Sequence, residues 1–153
     1  MSKIEQKLIE LGFPLPTVAK PVAAYVPSVV TGNLCFTSGQ LPFVDGALPK
    51  VGKVGRDVTA EDAKDLARLC ALNALAALKL AIGDLDRVTR IVKVVGFVSV
   101  VPEFTAIPGV INGASEFLGE VFGEVGAHAR SAVGVPALPL DSAVELEIIA
   151  EFK

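Results

Sequence analysis

Residues 88–100 (VTRIVKVVGFVSV) are apolar on both alternating faces, with Arg90, Lys93 and Ser99 departing from the pattern. A strand sends successive side chains to opposite sides, so a strand of this kind needs cover on both. Helices of the same chain can supply one cover. The other calls for a partner, and composition agrees: 52% hydrophobic residues against 20% charged, with a mean hydropathy of +0.57, is more apolar than a monomer of 153 residues needs.

The rest of the chain supplies the helices. Thr59 followed by Asp62 reads as an N-cap signal. Ala63, Leu66, Ala67, Cys70, Ala74, Ala77, Leu78 and Ala81 then recur at three- and four-residue steps until Gly83, giving a main helix of about 23 residues with Asn73 beside its apolar stripe. Residues 108–122 read as a second helix with Ile111, Ala114, Phe117, Leu118 and Val121 inward, ended by Gly123 and Gly126. A short amphipathic helix over residues 3–11, stopped by Gly12, Pro14 and Pro16, resembles an N-terminal addition.

Residues 22–44 are β-branched and aromatic around a Thr31-Gly32-Asn33 turn, which predicts a strand pair ending at Thr37-Ser38-Gly39-Gln40. Residues 45–57 read as an exposed loop, and residues 129–135 and 143–152 as two last strands. The order is ββαβαββ after the first helix: one α+β domain without repeats or a linker.

Several function classes are disfavoured. Residues 21–44 carry no charge, but Pro21, Pro27, Gly32, Asn33, Gly39 and Pro42 prevent a spanning helix, so no membrane role is expected. A formal charge of −3, without clustered Lys or Arg, offers nothing to nucleic acid. The start, MSKIEQKLIELGF, lacks a signal peptide's apolar core, so a cytoplasmic location is expected. Cys35 and Cys70 lie in a strand-like and a helix-like run with no CxxC and no His at ligand spacing, which predicts two buried thiols and no metal.

Three places can carry chemistry. Arg130, in His128-Ala129-Arg130-Ser131, opens a strand of small and apolar residues; its guanidinium suits a carboxylate or phosphate, or else pairs with a surface acid. Alternation puts Glu145 and Glu147 on one face of the last strand. There a carboxylate in a cleft can orient or deprotonate water, the other reading being a solvated strand face. Tyr25 with Ser38-Gly39 brings a phenol and a hydroxyl–glycine pair near strand ends, which is also what a simple turn would show. His128 is the one histidine and suits a supporting role.

Taken together these segments resemble the RidA/YjgF family, also called the endoribonuclease L-PSP family. The resemblance rests on Tyr25, Leu34-Cys35-Phe36-Thr37-Ser38-Gly39-Gln40-Leu41-Pro42, Asn73, Ile91-Val92-Lys93 with Phe97-Val98, Asn112, Arg130-Ser131, Leu138-Pro139 and Val144-Glu145-Leu146-Glu147. It implies a chorismate-mutase-like α+β domain over residues 21–153, preceded by a helical extension over residues 1–20. Its mixed sheet would carry two main helices on one face, and three copies would form a homotrimer with clefts between subunits.

The implied activity is hydrolysis of enamines and imines of the 2-aminoacrylate type to 2-keto acids and ammonia, without metal or cofactor. The resemblance further implies that Arg130 grips the substrate carboxylate and Glu145 positions water. Tyr25, Ser38, Gly39 and Asn112 would line the cleft, with Ala132 contributing a backbone N–H. Two departures mark a divergent subgroup: Ala132 stands where the family usually has Cys, and Arg56-Asp57-Val58-Thr59 replaces the usual Gln-Thr. A non-catalytic module that senses small carboxylates in the same cleft is the competing expectation, and ribonuclease activity is disfavoured by the acidic charge.

Overall fold

Thr59 starts the longest element. Its hydroxyl oxygen accepts from the Asp62 N–H at 3.1 Å, a cap whose removal costs about 1 kcal/mol. Helix α2 then spans Ala60–Ile82, until Gly83, at φ 85°, turns the chain out of the helix. In the computed structural model, which describes residues 1–18 and 23–153, it is joined by α1 (Lys3–Glu10), α3 (Ile107–Phe122) and five strands: β1 (Ser28–Thr31), β2 (Leu34–Thr37), β3 (Val88–Ser99), β4 (Ala129–Val135) and β5 (Val144–Phe152).

The five strands form one sheet in the order β1-β2-β5-β3-β4. Strands β3 and β4 run parallel and the other pairs antiparallel, so the sheet is mixed. Helices α2 and α3 lie on one face, over Val94, Leu146, Ile148 and Ala150, all buried. Small residues let them come close: Ala63, Ala67, Cys70, Ala71 and Ala74 of α2 are fully buried. A Cβ at Gly113 of α3 would lie 1.9 Å from the Lys64 carbonyl oxygen, so the two helix backbones touch there. Each large aliphatic side chain sealed under the helices contributes about 1.5–3 kcal/mol.

The opposite face has no cover among the described residues. Val95, Phe97, Glu145, Glu147 and Ile149 are half-buried there, and Val29, Phe36 and Val133 are 54%, 38% and 44% exposed. This is the second apolar face anticipated for residues 88–100. The middle strand is β5, with β3 one place further out.

Helix α1 packs into the same core. Leu8 is fully buried, Ser2 and Glu5 form a capping box, and the Asp86 carboxylate accepts from the Lys3 and Ile4 N–H groups at 2.9 Å each. The boundary placed between residues 20 and 21 lies outside the described residues, as does Val22.

Three local expectations change. Residues 23–27 are not strand, because β1 pairs with β2 only from Ser28, opposite Thr37. Residues 45–57 form a loop that is not wholly exposed. Val54 is fully buried, its N–H donating to the Ser99 carbonyl at 2.8 Å, and Gly52 N–H donates to the Asp141 carbonyl at 2.8 Å. At the end of α2 the inward position is Ile82 and Ala81 is exposed, because the helix turns 100° per residue and its buried stripe drifts.

Candidate functional site

Strand β2 delivers Ser38 and Gly39 to the sheet end. Thr37 is buried and its hydroxyl oxygen accepts from the Ile148 N–H at 3.0 Å, fixing β2 against β5. Beyond it, Gln40 and Leu146 exchange backbone hydrogen bonds of 2.8 and 3.0 Å. Asn73 of α2 holds the next turn by donating from Nδ2 to the carbonyls of Leu41 at 2.9 Å and Phe43 at 3.1 Å. That is the work of the one polar residue beside the apolar stripe.

Gly39 thereby sits against Glu145. A Cβ there would lie 2.1 Å from Glu145 Oε1, so the carboxylate occupies the space any side chain would need. Burial, and then the neighbouring Glu147 charge, push the Glu145 carboxyl up from the ordinary glutamate range. No hydrogen-bond donor or cation from the described residues engages Glu145. The Ser38 hydroxyl donates to the Val26 carbonyl at 2.5 Å and the Ser38 N–H to the Pro27 carbonyl at 2.8 Å. These bonds tie the segment bearing Tyr25, 53% exposed, to the same corner. The Ser38 oxygen keeps its capacity to accept.

Arg130 belongs to a second group. Its Nη1 donates to Asn112 Oδ1 at 2.7 Å and to Ser115 Oγ at 3.2 Å, both on α3, while Nη2 and Nε have no partner among the described residues. One side of the guanidinium is held and another is offered outward. Ala132 pairs with Gly96, two positions from the Arg130–Val94 pair, so it shares Arg130's face and packs on the core. Ser115 is the member that sequence reasoning missed; its spacing of three residues from Asn112 on one helix was the available signal.

The two groups do not meet within one chain. Val94, opposite Arg130, faces the helices, whereas Phe97, opposite Glu145, faces the uncovered side. Strands β4 and β5 flank β3 on its two sides. Three positions along the strand and two strand spacings across put the Arg130 and Glu145 backbones on the order of 14 Å apart, with side chains on opposite faces. Elsewhere, a groove of about 290 Å³ between α2 and α3 is lined by charged residues that pair with one another, Arg68 with Asp65 at 2.7 Å and Lys64 with Glu116 at 3.0 Å. Burial pushes both Cys35 and Cys70 thiols up, Cys70 strongly, so neither is a ready nucleophile. Among the described residues no cluster of three His, Cys, Asp or Glu side chains could hold a metal, and no helix is long and apolar enough to cross a membrane.

A family model described as "YjgF/chorismate_mutase-like, putative endoribonuclease" matches residues 5–152. The chain belongs to the YjgF/RidA family. The match begins inside α1, whose Leu8 is part of the core. Among relatives, Protein TCP17 of Trypanosoma cruzi is 43% identical over 150 residues, covering 97% of this chain and 94% of its own. The 2-iminobutanoate/2-iminopropanoate deaminase of Escherichia coli K12 is 36% identical over 131 residues, covering 84% and 88%. The crystal structure of Atu1372 from Agrobacterium tumefaciens, a protein of unknown function, superposes with a TM-score of 0.93 at 48% identity, covering 98% of this chain and 92% of that one. The mixed five-stranded sheet with its helices is the chorismate-mutase-like fold of this family.

Proposed function

We propose that this protein hydrolyses reactive enamines and imines of the 2-aminoacrylate type to 2-keto acids and ammonia, in clefts formed between subunits of a homotrimer. The observation that carries this reading is the disposition of two incomplete groups. A guanidinium with an open side faces one way, and a carboxylate with a raised pKa and no partner among the described residues faces the other. A second copy laid on the uncovered sheet face can bring its own Arg130 group to the Glu145 group of the first. That copy also buries Val29, Phe36 and Val133. The E. coli relative, whose name specifies 2-iminobutanoate and 2-iminopropanoate, supports the substrate class.

In the proposed reaction Arg130, held by Asn112 and Ser115, takes the substrate carboxylate in a two-point grip. The imine carbon is already electrophilic, so the site has only to place it and supply water. Glu145 accepts a proton from that water as its oxygen bonds to the imine carbon. Glu145 hands that proton to the nitrogen to complete the amino alcohol, then moves the hydroxyl proton to the same nitrogen, so that the C–N bond breaks to give the ketone and ammonia. The sum is one imine and one water consumed for one ketone and one ammonia. Tyr25, Ser38, Gly39, Asn112 and Ala132 line this cleft in the proposed assembly.

The test is turnover of freshly generated iminopropionate and related imines, produced from several amino acids by an amino-acid oxidase and followed as loss of imine above the spontaneous rate. Acceleration for at least one of them is expected. Binding of 2-keto acids without acceleration of any imine would assign the cleft to sensing instead, a reading for which the Ala132 replacement leaves room.

A further inference from the structure

The one histidine lies beside Arg130 without touching it. His128 Nδ1 is 2.6 Å from the Gly126 carbonyl oxygen, at the end of the 3₁₀ turn Gly123–Gly126. A carbonyl oxygen can only accept, so Nδ1 carries the hydrogen. In the neutral ring this leaves a lone pair on Nε2. Nε2 lies 2.8 Å from Ser115 Oγ, and with no hydrogen of its own it must accept the Ser115 hydroxyl hydrogen. The Ser115 oxygen, its hydrogen spent in that direction, presents its lone pairs to Arg130 Nη1 at 3.2 Å. From Arg130 Nη1 through Ser115 and His128 to the Gly126 carbonyl, the bonds thus all run the same way.

We infer that His128 is a positioning residue for the Arg130 carboxylate grip, acting through the Ser115 hydroxyl; this rests on the reading of Arg130 as that grip. Asn112 alone can hold Nη1, but a single acceptor leaves the guanidinium plane free to swing about that bond. The second acceptor at Ser115 fixes the plane, and His128 fixes Ser115 by denying its hydroxyl the alternative of donating elsewhere. Bonds in such a chain also polarise one another, so the Gly126 carbonyl strengthens the contact made three links away. The function of the arrangement is to keep Nη2 and Nε aimed at the incoming carboxylate before it arrives, which lowers the ordering cost of binding.

Affinity for pyruvate, read by titration calorimetry on the assembled full-length protein, tests this independently of turnover. Each variant is required to keep the parent's oligomeric state and thermal midpoint. Ser115→Ala and His128→Phe, which keeps a ring but no nitrogen, should each raise the Kd about tenfold, the scale of one hydrogen bond to a charged group. Two readouts go beyond a structural role. His128→Gln, whose amide oxygen can take the place of Nε2, should restore affinity to within about threefold of the parent. The Ser115→Ala, His128→Phe double variant should bind no worse than Ser115→Ala alone, because both remove one chain. Additive losses in the double variant, or parental affinity in His128→Phe, would overturn the inference while Arg130→Ala still abolished tight binding. Unchanged affinity in Arg130→Ala would instead remove the cleft reading, and the relay with it.

Discussion

The Arg130 and Glu145 groups are built on opposite principles. Arg130 is satisfied on one side by Asn112 and Ser115, which are in turn anchored to α3 and His128. Glu145 has no hydrogen-bonding or charged partner among the described residues; it is pressed against Gly39, in space that only glycine leaves open. The first arrangement suits a group that must recognise a fixed charge, since a held cation needs no reorganisation on binding. The second suits a group that must exchange a proton, because a carboxylate stabilised by donors would be too weak a base. In the proposed reaction, binding and chemistry are thus separated across the two faces of one sheet.

That separation can be broken from either side. Arg130→Ala should weaken pyruvate binding by about 2–5 kcal/mol, the usual loss when one partner of a desolvated charge pair is removed, as measured by calorimetry. Next in size, Glu145→Gln keeps the side-chain shape but not the basic charge. Imine turnover should fall about a hundredfold or more while pyruvate affinity stays near the parent's. Normal turnover in Glu145→Gln would sink the assignment of water activation to this residue. Gly39→Ala probes the contact between the corners. Its methyl needs the space of Oε1, so turnover should fall about tenfold or more, again with binding spared; equal losses in both would mean that the two groups are not independent.

The smallest effect sharpens the comparison by pH. Burial and the Glu147 charge raise the Glu145 pKa, so in the proposed reaction the base form, and turnover with it, should be lost as pH falls through that raised value. Glu147→Gln removes the second of the two causes and leaves burial. The acid limb of the rate profile should then move to lower pH without returning to the unperturbed position. An unmoved limb would mean that Glu147 does not set the Glu145 charge.

Much of this frame was legible in the sequence. The ends of α2 and α3 follow from Thr59, Gly83 and Gly123, which have local mechanisms, and β4 occupies the expected residues 129–135. The shared face of Glu145 and Glu147 follows from strand parity alone. What could not be read was relative parity between strands. That Arg130 and Glu145 point to opposite faces depends on Val94 pairing with Arg130 and Phe97 with Glu145, and a shift of one residue in either pairing would reverse it. Ser115 was hidden for a different reason, because a serine within a helix looks like any solvated position until its neighbour across the gap is known. Residues 45–57 misled by composition: glycine, proline and lysine suggest exposure, while Val54 among them is pinned beneath Ser99.

The strand order β1-β2-β5-β3-β4 places the last-made strand in the middle of the sheet. Within the sheet, the β1–β2 hairpin and the parallel pair of β3 and β4 have no strand pairing with each other, and Val144–Phe152 lies between and pairs with both. Arg87 then fastens the end, its Nε donating to the Lys153 carbonyl at 2.7 Å. Without Val144–Phe152 the two pieces of sheet would be joined through the helices that pack on them. The sheet is continuous only with β5, the last of its five strands in chain order, in place between the two pairs.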